Sequence, residues 1–188
     1  MNLAHRIATV AGKLLGGVRS GPERLAIRKL DPGRSIAVTA VGFTDGGAMP
    51  DQHAGTHPRP PSLMWTDMPA GTAELVILCE DPDAPLPKPF AHWVVYGIPA
   101  GATTYPFDSV SGSLAPTPGK AGKNSKRTLG FAGAAPPPGH GVHHYNFQVF
   151  ALDRQLSLEP GADRDTVVAA MKGHVLASGE VVGTYEAH

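Results

Sequence analysis

The sequence predicts a mainly β, loop-rich globular domain, and three observations support this prediction. Glycine and proline account for 23 and 19 of the 188 residues, which leaves few uninterrupted windows for long helices. Short apolar runs bounded by turn residues recur along the chain, as they do in strands. The length is typical of one domain, and no internal repeat divides it.

Residues 1–20 are predicted to form an N-terminal amphipathic helical extension ahead of a single domain over 21–188. Lys13 interrupts the apolar run that a secretory signal would need. No stretch approaches the roughly 20 apolar residues of a membrane span, so we expect a cytoplasmic protein. The apolar side chains of the extension recur at helical spacing, at Leu3, Ile7, Val10 and Leu14.

The apolar stripe of this extension needs cover, and two interpretations stay open. It docks on the body of the same protein or on the partner in a homodimer, or residues 3–18 make weak contact with an anionic membrane surface. No carboxylate precedes Glu23 in the sequence, which is compatible with the second interpretation.

Strands separated by turns are expected through the first half of the domain. Residues 25–30 and 36–40 are predicted to be two strands, and 42–62 a long irregular loop. The continuous apolar run at 73–80 predicts a strand that is covered on both faces. It contains the single cysteine, Cys79, which we expect to be a buried and unreactive thiol.

Two more strands follow two more irregular segments. Four prolines keep 81–89 out of a sheet, and 92–96 resumes as a strand. Residues 112–141 are again rich in glycine and proline, and 143–152 form another strand.

A helix near 163–177 and a final strand are expected at the C-terminal end. Asp163 is a suitable N-cap for the helix, and the strand includes Val181, Val182 and Tyr185. The inward stripe of the helix is predicted to be Val167, Met171 and Val175.

The two loops at 81–91 and 112–142 each run into a strand that opens with histidine, and this coincidence indicates a site. A carboxylate at Asp81 would fix the tautomer of His92 or His143 and keep the ring protonated, ready to bind an anion. Tyr145 shares a strand face with His143 and adds a neutral donor. Together they suit a small pocket for a phosphate monoester.

The charge distribution is compatible with a small anion but not with a polyanion. The chain carries 16 basic and 16 acidic side chains, which argues against a nucleic-acid partner. No Asp or Glu occurs between Ser109 and Leu152. The same span contains four cations that could attract an anionic ligand or an acidic partner, namely Lys120, Lys123, Lys126 and Arg127.

Two long motifs carry a family resemblance. The first is Asp81-Pro82-Asp83-Ala84-Pro85 followed by His92-Trp93-Val94-Val95, and the second runs from Gly141 to Leu152. They resemble the two signatures of the phosphatidylethanolamine-binding protein family, in particular its bacterial Raf-kinase-inhibitor-like branch. The resemblance covers roughly residues 24 to 186.

That resemblance implies an antiparallel β-sandwich of the Greek-key type, with peripheral helices and a small anion pocket. Ala132, Ala135 and Ala91 replace residues usual in the family's pocket loop and beside the first histidine, which would alter how closely the pocket encloses a ligand. Carried over by position, the ligand-binding residues are Asp81, His92, His143, Tyr145, Pro82, Pro85, Gly133 and Pro136.

Three functions remain as hypotheses. The first is a non-enzymatic binder of phosphate, phosphoethanolamine or a carboxylate, without a cofactor. The second is a kinase or protease inhibitor of unknown target, acting through the basic loop 120–127. The third is a metal-dependent enzyme that uses two histidines and one aspartate as ligands.

Overall fold

A computed structural model describes residues 3–105 and 118–187, in two antiparallel sheets with three helices around them. The smaller sheet has the strand order β1-β2-β5, and the larger has the order β6-β4-β3-β7-β8. The helices are α1 (Leu3–Leu15), α2 (Ala26–Lys29) and α3 (Arg164–Met171). The strands are β1 (Ala37–Ala40), β2 (Leu63–Thr66), β3 (Glu74–Asp81), β4 (Phe90–Pro99), β5 (Thr104–Tyr105), β6 (Lys120–Ala121), β7 (His143–Leu152) and β8 (Val175–Tyr185).

The larger sheet separates two hydrophobic cores. One core lies between the sheets, where Trp65 of β2 packs in the same cluster as Ile77 and Phe147. The other lies on the opposite face, where Val76 packs in a cluster with Val167 of α3. This arrangement confirms the predicted mainly β, antiparallel sandwich with peripheral helices.

Strand β3 is the centre of the molecule, because every one of its residues is buried. Alternate side chains point to opposite faces, so Ile77 and Cys79 enter the core between the sheets while Val76 and Leu78 enter the other. The continuous apolar run therefore does predict a strand covered on both faces. Burial also raises the pKa of the Cys79 thiol, as expected for an unreactive cysteine.

The predicted strand at 25–30 is wrong, because this segment forms a 3₁₀ turn at Pro22–Arg24 and then helix α2. Buried polar side chains of the larger sheet hold the helical turn in place. The Ala26 amide donates to Glu80 Oε2 at 2.7 Å, and the Ile27 amide donates to Gln148 Oε1 at 2.8 Å. These tertiary hydrogen bonds satisfy the free amides of a helix start and override the local pattern.

The C-terminal helix is shorter than the sequence predicts. Asp163 caps α3 as expected, since its Oδ1 accepts from the Thr166 amide at 3.0 Å. The helix ends at Met171, however, and Gly173 adopts a left-handed φ of 77° that stops it. Val175 is therefore the first residue of β8 and not the end of the helical stripe.

Helix α1 confirms the predicted N-terminal helix but not the docking of its apolar stripe on the body of the protein. Ile7, Val10 and Leu14 are 61%, 58% and 80% exposed. Gly12 makes the contact instead, because a Cβ at this position would lie 2.1 Å from the Pro138 carbonyl oxygen. Larger side chains cannot enter so close a contact. None of the helices in the described ranges has the length and apolarity to cross a bilayer.

Candidate functional site

The site lies at one end of the larger sheet, where β3 ends and its two neighbours begin. Both β4 and β7 run antiparallel to β3, so their first residues flank its last one. This topology brings Asp81, His92 and His143 together, although they are far apart in the sequence. All three are nearly inaccessible, with 3%, 5% and 1% of their surface exposed.

The Asp81 carboxylate lies between the two imidazoles. His143 Nδ1 donates to Asp81 Oδ2 at 2.7 Å, and His92 Nε2 faces the same oxygen at 3.9 Å. Burial alone would raise the pKa of Asp81, but the His143 and His92 imidazoles outweigh burial and hold this pKa at about 2. The carboxylate is therefore charged at any physiological pH.

The orientation of His92 is fixed by the loop opposite. Its Nδ1 donates to the Ala132 carbonyl at 2.5 Å, and the Ala132 amide donates to the His92 carbonyl at 2.8 Å. Because Nδ1 carries this proton, Nε2 becomes a donor only when the ring is charged. The ring also packs against Phe90, with centroids 4.6 Å apart.

Tyr145 completes the cluster with a hydroxyl that lacks a partner. Its side chain is fully buried, and its ring stands edge-on to His92 with centroids 5.0 Å apart. Among the described residues the phenol oxygen forms no hydrogen bond, although the Ala135 backbone amide lies nearby. Burial raises the pKa of the phenol, and the nearby Asp81 charge adds to this, so the hydroxyl stays a neutral donor.

A third histidine, His140, extends this cluster to helix α1. His140 Nδ1 lies 2.7 Å from His143 Nε2, and His140 Nε2 lies 2.8 Å from the Leu15 carbonyl oxygen. The ring is buried, with 3% of its surface exposed. His140 was not among the predicted site residues, and the only signal for it in the sequence is the grouping of histidines at 140, 143 and 144.

The hydrogen bonds of the His140–His143 pair link Asp81 to helix α1. The Leu15 carbonyl only accepts, so His140 Nε2 holds a proton, and the ionised Asp81 only accepts, so His143 Nδ1 holds another. One more proton lies between His140 Nδ1 and His143 Nε2. These contacts engage all four ring nitrogens of the pair.

Residues 19–21 join the two loops that flank the cluster. The Pro82 carbonyl accepts from Ser20 Oγ at 2.7 Å and from the Gly21 amide at 3.0 Å. Arg19 forms an ion pair with Asp83 and also donates to the Val142 carbonyl at 3.3 Å. The segment thereby closes over the cluster from the side of α1.

The remaining predicted pocket residues lie on the flanking loops. Pro82 and Pro85 belong to the loop before β4, and Pro136 belongs to the loop before β7. The Cα of Gly133 packs against Pro58 and not against the cluster, because a Cβ at this position would lie 2.4 Å from the Pro58 ring. The glycine therefore permits close packing of two loops.

The basic loop does not converge on the cluster. Lys120 donates to the Leu158 carbonyl at 2.7 Å, beside the opposite end of β4. Lys123 and Arg127 line a separate cleft of about 320 Å³, together with Lys88 and Asp163. The cations of this loop thus provide no charge at the buried histidines.

The geometry does not favour the metal-triad hypothesis. The described residues contain no group of three or more His, Cys, Asp or Glu side chains arranged to hold a metal ion. Both nitrogens of His143 are engaged by Asp81 and His140, and His92 Nδ1 is engaged by Ala132.

Comparison with known proteins identifies the family. The model of the phosphatidylethanolamine-binding protein family matches residues 39–186. The chain belongs to the phosphatidylethanolamine-binding protein family. Its site cluster and both signature motifs lie within the matched range, whereas α1 and residues 19–21 lie outside it.

Relatives of this phosphatidylethanolamine-binding family member place it in the YbhB/YbcL-type branch. It is 39% identical over 145 residues to a UPF0098 protein of Methanothermobacter thermautotrophicus, which covers 76% of this chain and 93% of the relative. It is 37% identical over 127 residues to YbhB of Escherichia coli, covering 66% of this chain and 80% of that protein. The crystal structure of E. coli YbcL superimposes with a TM-score of 0.74 at 31% identity, covering 82% of this chain and 99% of YbcL.

The lowered pKa of Asp81 predicts a specific dependence of stability on pH. A carboxyl whose pKa is lower in the folded than in the unfolded state stabilises the fold above its unfolded pKa, and this stabilisation is lost as pH falls through the folded pKa. As the pH falls from about 4 to about 2, protonation of Asp81 should therefore lower the free energy of unfolding by about 1.4 kcal/mol for each pH unit.

Urea unfolding at a series of acidic pH values measures this dependence. Asp81→Asn should flatten the slope of unfolding free energy against pH by the amount that corresponds to about one proton per molecule. Asp31→Asn, on an exposed turn, should leave this slope as in the parent protein. An unchanged slope in Asp81→Asn would show that the carboxyl is not held ionised by its histidine neighbours.

Proposed function

We propose that the cluster of Asp81, His92, His143 and Tyr145 is a non-enzymatic binding pocket for a phosphate-type anion, such as a phosphoethanolamine group. The observation that carries this proposal is the Tyr145 hydroxyl, which is buried without a partner. A buried donor left unpaired costs about 1 to 3 kcal/mol, so a ligand oxygen beside it would recover that free energy. Membership of a family of binding proteins supports the same role.

Three donors in this pocket match the oxygens of a phosphate group. Tyr145 Oη donates without a change of charge, and His92 Nε2 donates once it is protonated. His143 Nε2, which contacts His140 in this structure, is the third nitrogen that could donate to the ligand.

The cluster lacks the arrangement expected of a hydrolase. His143 is bonded to Asp81 and His140 on its two sides, so it does not activate a hydroxyl or thiol nucleophile. The Cys79 thiol points into the core between the sheets. A binding role therefore accounts for the geometry better than catalysis does.

His140 is, in this proposal, the group that closes the pocket when no ligand is bound. Its Nδ1 occupies the position at which His143 Nε2 would donate to a ligand oxygen. Entry of an anion therefore requires His140 to move away from His143, which also breaks its hydrogen bond to Leu15. The flanking residues Pro82, Pro85, Gly133 and Pro136 shape the loops through which it would pass.

Substitution of Tyr145→Phe tests the pocket without disturbing its shape. Because the change removes only a hydroxyl that has no partner, the free energy of unfolding should stay the same or rise. The affinity for phosphoethanolamine, measured by isothermal titration calorimetry, should fall about five- to tenfold with the loss of one hydrogen bond. His92→Ala should also lower this affinity. Its matched control is His174→Ala, because His174 lies beside Asp153, away from the site.

The pocket proposal would be contradicted by two results. One is the absence of heat and of imidazole NMR shifts with phosphoethanolamine at millimolar concentration. The other is equal affinity in Tyr145→Phe, His92→Ala and the parent protein, since it would place the anion elsewhere.

Substitution of His140→Ala tests whether this residue closes the pocket. Removing the ring frees His143 Nε2 for a ligand, so phosphoethanolamine affinity should rise about tenfold, the effect of gaining one charge-assisted hydrogen bond. His144→Ala, whose ring is exposed and paired with Asp83, should leave the affinity unchanged. A lower affinity in His140→Ala would instead make His140 part of the ligand's binding site.

A further inference from the structure

Helix α1 directs its small residues toward the protein and its large apolar residues toward solvent. Gly12 is buried against the loop at Pro138, and the Leu15 carbonyl is held by His140 at 2.8 Å. The helix is therefore fixed on one face. The opposite face presents a continuous apolar stripe, formed by Ile7, Val10 and Leu14, with exposed fractions of 61%, 58% and 80%.

The continuity of this stripe distinguishes it from ordinary surface leucines. Single exposed apolar residues are common in folded proteins and need no explanation. Here Ile7, Val10 and Leu14 succeed one another at intervals of three and four residues, so they adjoin along one side of the helix. A contiguous apolar surface of this kind marks a contact with another body.

The charges beside the stripe have one sign. Residues 1–22 include Arg6, Lys13 and Arg19 but no Asp or Glu, and Arg19 is already paired with Asp83 of the body of the protein. Lys13 is exposed, and none of the described residues forms an ion pair with it. A partner for this helix must therefore bring the negative charge itself.

A second copy of the chain fits these observations poorly. Two α1 helices packed face to face would bring their cations together with no carboxylate between them. The stripe is also small, since a helix of 13 residues is about 20 Å long and about 10 Å wide. Its contact area of a few hundred Å² falls short of the roughly 800 Å² per partner in a stable protein interface.

We infer that α1 docks the protein on an anionic lipid bilayer, with the apolar stripe at the boundary between headgroups and acyl chains. Lys13 then lies at the depth of the anionic headgroups, where a long basic side chain is favoured. This inference does not depend on the ligand of the histidine pocket, because the stripe lies on the side of the helix that faces away from the pocket.

Flotation of the full chain with vesicles tests the inference. The protein should float with vesicles of phosphatidylglycerol and phosphatidylcholine, much less with pure phosphatidylcholine, and less at high salt. Val10→Gln/Leu14→Gln keeps good helix formers on exposed positions but should lower the partition coefficient about tenfold or more. The matched control is Val41→Gln/Leu129→Gln, at residues 55% and 59% exposed elsewhere, which should bind as the parent does.

Phosphoethanolamine titration of the same variants separates this inference from the pocket. Val10→Gln/Leu14→Gln should keep the parent affinity for phosphoethanolamine, and Tyr145→Phe should keep the parent affinity for vesicles. The inference is overturned if the parent does not float with anionic vesicles, or if Val10→Gln/Leu14→Gln floats equally well. It is also overturned if that variant abolishes a concentration-dependent dimer in sedimentation, since the stripe would then bind a second copy.

Discussion

The buried Asp81 carboxylate is the constraint on which the rest of the site depends. A charge with 3% of its residue exposed is stable only if opposite charge and hydrogen-bond donors surround it. His143 supplies both, and His92 faces the same oxygen. His143 in turn contacts His140, so one carboxylate anchors a chain of hydrogen-bonded groups that ends at the Leu15 carbonyl.

The β-sandwich holds Asp81 in position between the two histidines. Strand β3 is buried along its whole length, which leaves its last residue, Asp81, rigid between the starts of β4 and β7. The N-terminal segment then couples the site to a surface helix, through the hydrogen bond between His140 and the Leu15 carbonyl and the ion pair of Arg19 with Asp83. The site and α1 are consequently joined by direct contacts.

Local sequence pattern predicts the long strands β3, β4 and β7 but not the short strands β2, β5 and β6, and it fails where distant contacts decide the structure. The strand at 73–80 and the shared face of His143 and Tyr145 result from continuous burial and from alternation, which are properties of the strand itself. The segment 25–30 has the pattern of a strand but forms a helix, because buried side chains of the larger sheet, Glu80 and Gln148, cap it. No pattern within 25–30 contains that information.

Two features around helix α1 could not be predicted from local pattern, namely the face on which it packs and its contact with His140. Amphipathic pattern assumes that large apolar residues face the protein, whereas a backbone contact as close as that of Gly12 with Pro138 admits only a glycine. The role of His140 was also hidden, because it lies in a loop rich in proline and glycine that has no regular period. The signature residues could be placed by resemblance, but the contact of His140 with His143 could not.

A crystal structure of the protein with phosphoethanolamine tests the central claim most directly. We expect a phosphate group within hydrogen-bond distance, about 2.6 to 3.2 Å, of Tyr145 Oη, His92 Nε2 and His143 Nε2, with His140 turned away from His143. A phosphate bound instead in the cleft of Lys88, Lys123 and Arg127, with the His140–His143 hydrogen bond intact, would contradict the claim.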